Sequence, residues 1–133
     1  MNQTDTIIFT TNWNGKLFLD CFGTVRLHNP GKYAVGKKMN IMYNKIPMGI
    51  AKIEALRVFQ YKQISDALSY IDVGKPAVYL SQLLSNMYTK KGLLFPSSEL
   101  DHVILVYEER NIESHQMVWR EWWDDKQQQL KLF

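Results

Sequence analysis

The chain has a single cysteine, Cys21, so it can form neither an internal disulfide nor a multi-cysteine zinc or iron–sulfur site. No apolar run approaches the roughly 18–20 residues that a membrane-spanning helix needs. The residues after Met1 lack the basic segment and the apolar segment of a secretion signal. These absences favour a cytoplasmic protein with no membrane partner, because thiols stay reduced in that compartment.

The sequence also lacks an internal repeat and any long linker rich in glycine, serine or proline. Its 133 residues therefore predict one compact region, and an apolar share of 46% is enough for a core. The three histidines have no metal-ligand spacing and the glycines form no phosphate-binding motif, so we expect no metal and no cofactor. A formal net charge of +3 permits a polyanionic partner without requiring one.

Short β-branched and aromatic runs predict strands at residues 7–9, 24–27, 39–43 and 103–107, the last apolar throughout and therefore central. A turn at 44–47 and the run 48–59 predict a hairpin with a long second strand. In that strand the apolar face passes from Ala51, Ile53 and Ala55 to Leu56 and Val58. Such a change of phase predicts a β-bulge.

Helical spacing of apolar residues predicts helices at 16–22 and 64–71, the second ended by Gly74 in a left-handed conformation. Cys21 is then expected as a buried thiol on the first of them. Pro76 suits the first turn of a further helix, which should stop near 90–92. A last helix follows residue 111 and carries three tryptophans on one broad face: Trp119, Trp122 and Trp123. This order of elements predicts an α+β fold.

Several residues in this order resemble the ASCH superfamily, and in particular its small bacterial members. They are Trp13 in a turn, Thr24-Val25-Arg26 on a strand, Gly36 before the strand at Met39, the hairpin through Gly49, the helix end at Leu83–Met87 and Tyr88, and the closing strand at 103–107. The resemblance covers roughly residues 6–109. It implies a PUA-like, partly open mixed β-barrel flanked by short helices, with residues 1–111 as the ASCH-like domain and 112–133 as a C-terminal helical extension.

The same resemblance implies a cleft that takes RNA or a nucleoside. One group of similar proteins deacetylates acetylcytidine with a lysine, a threonine and a glutamate, and another member is described as a ribonuclease. Here the family's threonine falls on Thr24 and its strand arginine on Arg26, whereas the lysine position holds Cys21 and the glutamate falls near Tyr79. The incomplete set favours a binding module, with an amidohydrolase or a ribonuclease as the alternative.

The predicted ligand-binding residues are Trp13, Lys16, Thr24, Arg26 and Tyr79. A guanidinium can clamp a phosphate or stack on a base, although Arg26 could also pair with a surface acid. Trp13 could stack on a base while Lys16 contacts a phosphate, or it could plug one end of the barrel.

Catalysis would need a base and an acid beside the Thr24 hydroxyl, because an isolated hydroxyl is a poor nucleophile. Lys16 could replace the missing amine, Cys21 could attack as a thiolate, and Glu54 is a candidate carboxylate. The tryptophan helix is expected to pack its indoles against the barrel or to form a homodimer, with base stacking as a further alternative.

Overall fold

The computed structural model describes residues 4–88 and 94–131, and only the backbone of residues 129–131. The predicted helix stop at 90–92 lies outside the described residues. The strands are β1 (Asp5–Phe9), β2 (Cys21–Leu27), β3 (Lys38–Tyr43), β4 (Ile46–Gln60) and β5 (Glu99–Arg110); the helices are α1 (Asp66–Val73), α2 (Ala77–Met87) and α3 (Ile112–Lys131), with two short 3₁₀ helices, η1 (Trp13–Phe18) and η2 (Tyr61–Gln63).

The five strands form one mixed sheet in the order β1-β3-β4-β5-β2, in which β1 runs parallel to β3 and the other pairs are antiparallel. The sheet curls so that its two edge strands face each other. Phe9 of β1 contacts Phe22 of β2 edge-on, with 5.9 Å between the ring centroids. The predicted α+β fold with a partly open, mixed β-barrel is confirmed, and β5 is an interior strand as predicted.

The long strand β4 bends at two irregularities of its pairing with β5, one between Ile50 and Ala51 and one between Ile53 and Ala55. The second confirms the predicted bulge. Beyond it the predicted apolar face is wrong at Val58, which is exposed, whereas its neighbour Phe59 points to the other face of the strand and packs in a core there.

The sheet separates two apolar cores. The inner core fills the half-barrel and includes Met39, Ile41, Ile53, Leu105 and, from α3, Val118. The outer core lies between the other face of the sheet and helices α1 and α2; it comprises Val25, Phe59, Val73, Leu80, Leu84 and Leu100. Among the described helices, none is both long and apolar enough to cross a membrane.

The predicted helix at 16–22 is wrong. A 3₁₀ helix ends at Phe18, and β2 begins at Cys21, whose side chain is exposed rather than buried. Asn14 and Gly15 have φ values of 57° and 66°, in the left-handed region that interrupts an α-helix. Apolar residues at 17, 18, 21 and 22 fit a helical period, but they equally fit a turn followed by a strand that points Phe22 inward and Cys21 outward.

A cavity between the edge strands

A cavity of about 150 Å³ opens between the edge strands β1 and β2, where η1, α1 and α2 meet them. We call it the seam cavity. Four polar or charged side chains form one end of it: Lys16, Thr24, Arg26 and Asp72. Its apolar lining includes residues of η1 and α2: Trp13, Leu80, Leu83, Leu84 and Met87.

Lys16 and Asp72 form a buried ion pair in this cavity. The Lys16 Nζ donates to Asp72 Oδ1 at 2.6 Å and to the carbonyl oxygen of Gly23 at 2.8 Å, and each charged side chain is only 5% exposed. Burial lowers the pKa of Lys16 below its ordinary value, and the charge of Arg26 adds to this effect while Asp72 opposes it. The ammonium is therefore easier to deprotonate than that of a surface lysine.

The approach of η1 to the end of α1 brings the two charges together. Asn14 donates from Nδ2 to the carbonyl oxygen of Tyr70 at 3.1 Å, which fastens η1 to the last turn of α1. Gly74 ends α1 with a φ of 73°, as predicted, and any side chain there would overlap Asn14 Oδ1. Asp72, close to this contact in the last turn of α1, thus reaches Lys16.

Thr24 and Arg26 lie two residues apart on β2, so their side chains share one face of the strand. Arg26 Nε donates to Thr24 Oγ1 at 3.1 Å, and Arg26 Nη2 donates to the carbonyl oxygen of Ile8 at 3.1 Å. The guanidinium also lies over the ring of Phe9, 4.9 Å from its centroid. Within the described residues no carboxylate forms an ion pair with Arg26, including Asp101, its register partner on β5. Its charge is available to a ligand.

Four of the five predicted ligand-binding residues line the seam cavity, and Tyr79 does not. Tyr79 instead supports Trp13 from behind, through an edge-on ring contact with 5.6 Å between centroids. Tyr79 therefore contacts the cavity only through Trp13.

The sequence analysis missed Asp72. The resemblance puts the family's glutamate position near Tyr79, where this chain has no carboxylate, whereas Asp72 of the preceding helix lies beside Lys16 in the structure. The available signal was an acidic residue four positions after Leu68, on the stripe of α1 that turns inward. Glu54 is exposed and pairs with Lys52 at 3.8 Å, and neither it nor Cys21 lines the cavity.

The tryptophans of α3 form a stacked group beside η1. The ring of Trp119 stacks on Trp122 and Trp123, with centroid distances of 5.3 and 5.9 Å. Phe18 of η1 meets Trp119 and Trp122 edge-on. Trp119 and Trp123 remain 44% and 48% exposed, so the group packs on the barrel through one side only.

In the part of the chain that the structure describes, no three His, Cys, Asp or Glu residues are grouped to hold a metal ion.

The half-barrel with a polar cavity at its open edge shares its fold with a solved structure. No protein-family model matches the chain, and no curated protein sequence matches it significantly. The crystal structure of EF3133 from Enterococcus faecalis V583, described with the family model DUF984, matches with a TM-score of 0.64 and 11% identity, over 87% of this chain and 83% of that one.

A second match is the crystal structure of a point mutant of the ZmASCH protein from Zymomonas mobilis. Its TM-score is 0.46 and its identity 13%, over 79% of this chain and 70% of that one. At these identities the likeness concerns the fold alone and says nothing of ligand or activity.

Proposed function

We propose that this protein is a hydrolase that removes an acyl group from the amine of a pyrimidine nucleoside bound in the seam cavity. The observation that supports it is the buried Lys16–Asp72 pair, which faces the same cavity as Thr24 and Arg26. The sequence resemblance implies acetylcytidine deacetylation by a lysine, a threonine and a carboxylate. On this proposal Lys16 and Asp72 supply the two members that the sequence comparison leaves missing.

The dimensions of the cavity support one small aromatic ring as the bound group. An apolar cavity of roughly 150 Å³ holds a single six-membered ring such as benzene, and the seam cavity has this volume. Trp13 and the leucines of α2 would contact the faces of a pyrimidine, while the polar end would bind its exocyclic groups.

The proposed reaction needs a hydroxyl group that attacks the acyl carbon and a second group that carries its proton to the leaving amine. Thr24 Oγ1 forms a bond to the acyl carbon, its proton passes through the Lys16–Asp72 pair to the amine nitrogen, and the carbon–nitrogen bond breaks. Water then cleaves the threonine ester, releasing the acid and restoring the hydroxyl. The hydrogen bond from Arg26 Nε stabilises negative charge on Thr24 Oγ1. Because burial lowers the pKa of Lys16, its ammonium releases a proton more readily than that of a surface lysine, which suits a group that carries a proton.

The test is incubation with acetylcytidine, with cytidine release followed by chromatography. Thr24→Val keeps the shape of the side chain but removes the hydroxyl, and we expect at least a roughly 100-fold loss of turnover. Thr24→Ser should retain activity, and the exposed Thr4→Val is the matched control. Absence of product from the wild-type protein, or unchanged turnover in Thr24→Val, would refute the hydrolase.

Binding without chemistry is the second candidate, with RNA or a nucleoside as the ligand. It is favoured by the unneutralised charge of Arg26 and by the two hydrogen bonds that already hold the Lys16 ammonium. A titration with cytidine and with single-stranded RNA at two salt concentrations tests it. Arg26→Gln should weaken binding and Arg120→Gln on α3 should not; equal affinities would contradict it. Loss of structured RNA during incubation would indicate the ribonuclease alternative.

Self-association through α3 is a third candidate, favoured by the exposure of Trp119 and Trp123. A second copy of the chain could cover both indoles, since aromatic residues are enriched where protein surfaces meet. Sedimentation of the double variant Trp119→Ser/Trp123→Ser against the wild type measures this. A wild-type protein that sediments as a monomer at high concentration contradicts the dimer.

A further inference from the structure

A second cavity lies on the outer face of the sheet, between the start of α1 and strands β4 and β5. It encloses about 270 Å³ and we call it the outer cavity. Nothing in the hydrolytic mechanism uses it. Its lining residues are Arg57, Phe59, Gln63, Ser65, Leu68 and His102.

Arg57 and His102 are direct cross-strand partners on β4 and β5, so their side chains stand next to each other on this face. Across residues 4–88 and 94–131, Arg57 forms no ion pair and the His102 ring forms no hydrogen bond. Two nitrogen-bearing groups without partners thus border one cavity.

The position of the His102 ring depends on a glycine in the neighbouring strand. A Cβ at Gly23 of β2 would lie 3.0 Å from His102 Nε2. The imidazole therefore rests against the bare backbone of β2. Burial lowers the pKa of His102, as do the charges of Lys16 and Arg57, whereas Asp72 raises it. The ring is neutral at neutral pH and keeps one N–H to donate.

The other polar groups of the outer cavity are also able to donate. Ser65 Oγ accepts from the backbone N–H of Leu68, which leaves its own hydroxyl hydrogen available. Gln63 Oε1 accepts from the backbone N–H of Gln60, which leaves its amide N–H groups available. The nearby carboxylate of Asp66 accepts from Ala77 and does not line the cavity.

We propose that the outer cavity is a binding site for a phosphate group, free or esterified. Arg57 provides the charge, and the His102 imidazole, the Gln63 amide and the Ser65 hydroxyl provide hydrogen bonds. A planar guanidinium matches phosphate oxygens in pairs, and the lining holds no carboxylate that would repel the anion. The site is separate from the seam cavity, so it does not depend on the hydrolase.

The experiment titrates the full-length protein with inorganic phosphate against chloride at constant ionic strength. NMR of the imidazole resonances reports binding, with His115 as an internal reference in another part of the fold. We expect a saturable shift of His102 and an upward change in its pKa, because a bound anion favours the imidazolium. No saturable shift of His102 would overturn the proposal.

Arg57→Gln should weaken phosphate binding roughly tenfold or more, since it removes a charged hydrogen bond. Its side chain is exposed, so the variant should fold, and Arg120→Gln is the matched control. An unchanged affinity in Arg57→Gln would also overturn the site. A parallel titration with cytidine 5′-monophosphate and with cytidine separates the sources. Tighter binding of the monophosphate than of inorganic phosphate would assign the site to an esterified phosphate, whereas equal shifts with cytidine and with its monophosphate would show that phosphate is not recognised.

Discussion

Two ion pairs at opposite ends of β2 have nearly the same length, but the pKa of the cation is shifted in opposite directions in the two pairs. Lys16 and Asp72 meet at 2.6 Å beside Gly23, and His28 meets Asp101 at 2.7 Å just beyond Leu27. The pKa of Lys16 is lowered mainly by burial, whereas the pKa of His28 is raised mainly by its hydrogen bond to Asp101. The His28 side chain is 31% exposed and that of Lys16 only 5%. Both cations have a carboxylate partner, so it is the exposure of the cation that decides whether its pKa is raised or lowered.

The two pairs also differ in what surrounds them. Asp101 accepts a second hydrogen bond, at 2.9 Å from the backbone N–H of Asn29, and so ties the segment after β2 to β5. The Lys16–Asp72 pair instead borders the open seam cavity. An ion pair becomes a candidate for catalysis only when a substrate can reach it. Of the two pairs, the Lys16–Asp72 pair meets this condition because it borders the seam cavity.

The largest expected effect comes from removing one carboxylate. Asp72→Ala leaves the Lys16 ammonium buried without its partner, which should cost about 3–5 kcal/mol of unfolding free energy. Asp101→Ala should cost less, because water can reach the partly exposed His28 and the ring can lose its proton. Chemical denaturation measures both, with Asp20→Ala, at the exposed ion pair with Arg110, as the surface control. A larger loss of unfolding free energy in Asp101→Ala than in Asp72→Ala would contradict this prediction.

An intermediate effect is expected at the contact that positions Asp72. Gly74 and Gly36 both have positive φ, so alanine at either should cost about 1 kcal/mol or more in backbone strain. Only at Gly74 would the new Cβ overlap Asn14; at Gly36 it would meet open space. Gly74→Ala should therefore lower both the unfolding free energy and the hydrolytic rate, and Gly36→Ala the first alone. Equal hydrolytic rates in the two variants would show that the contact between Gly74 and Asn14 does not position Asp72.

The smallest expected effect is a difference between histidine titrations. His28 should titrate above the ordinary value of 6.5, and His102 and His115, whose pKa values burial lowers, below it. Because the pKa of His28 is raised on folding, its stabilising contribution is complete below the ordinary value of 6.5 and is lost as pH rises through the folded pKa. NMR titration measures the order, and Asp101→Asn should return His28 towards the ordinary value. One shared midpoint for all three rings would be contrary to expectation.

Much of the fold could be predicted because its strands and the bulge in β4 follow local periodicity, and because Gly74 is a local stop signal. Thr24 and Arg26 were expected in a cleft because of the family resemblance, and strand geometry explains why both side chains lie on one face. Asp72 could not be paired with Lys16 from sequence, since 56 residues separate them and only the packing of η1 on α1 joins them. Cys21 was misplaced because its apolar neighbours fit two periods equally well.

The half-barrel closes at Ile8 through a side chain rather than through a ladder of backbone hydrogen bonds. Edge strands with unpaired backbone groups attract foreign strands, and the guanidinium of Arg26 covers one such group. A single hydrogen bond from a side chain can break while the backbone hydrogen bonds of the sheet stay in place. Any incoming anion that attracts Arg26 competes directly with β1 for the same nitrogen atoms. By thermodynamic reciprocity, binding of such an anion and loss of the Arg26 hydrogen bond to Ile8 then influence each other.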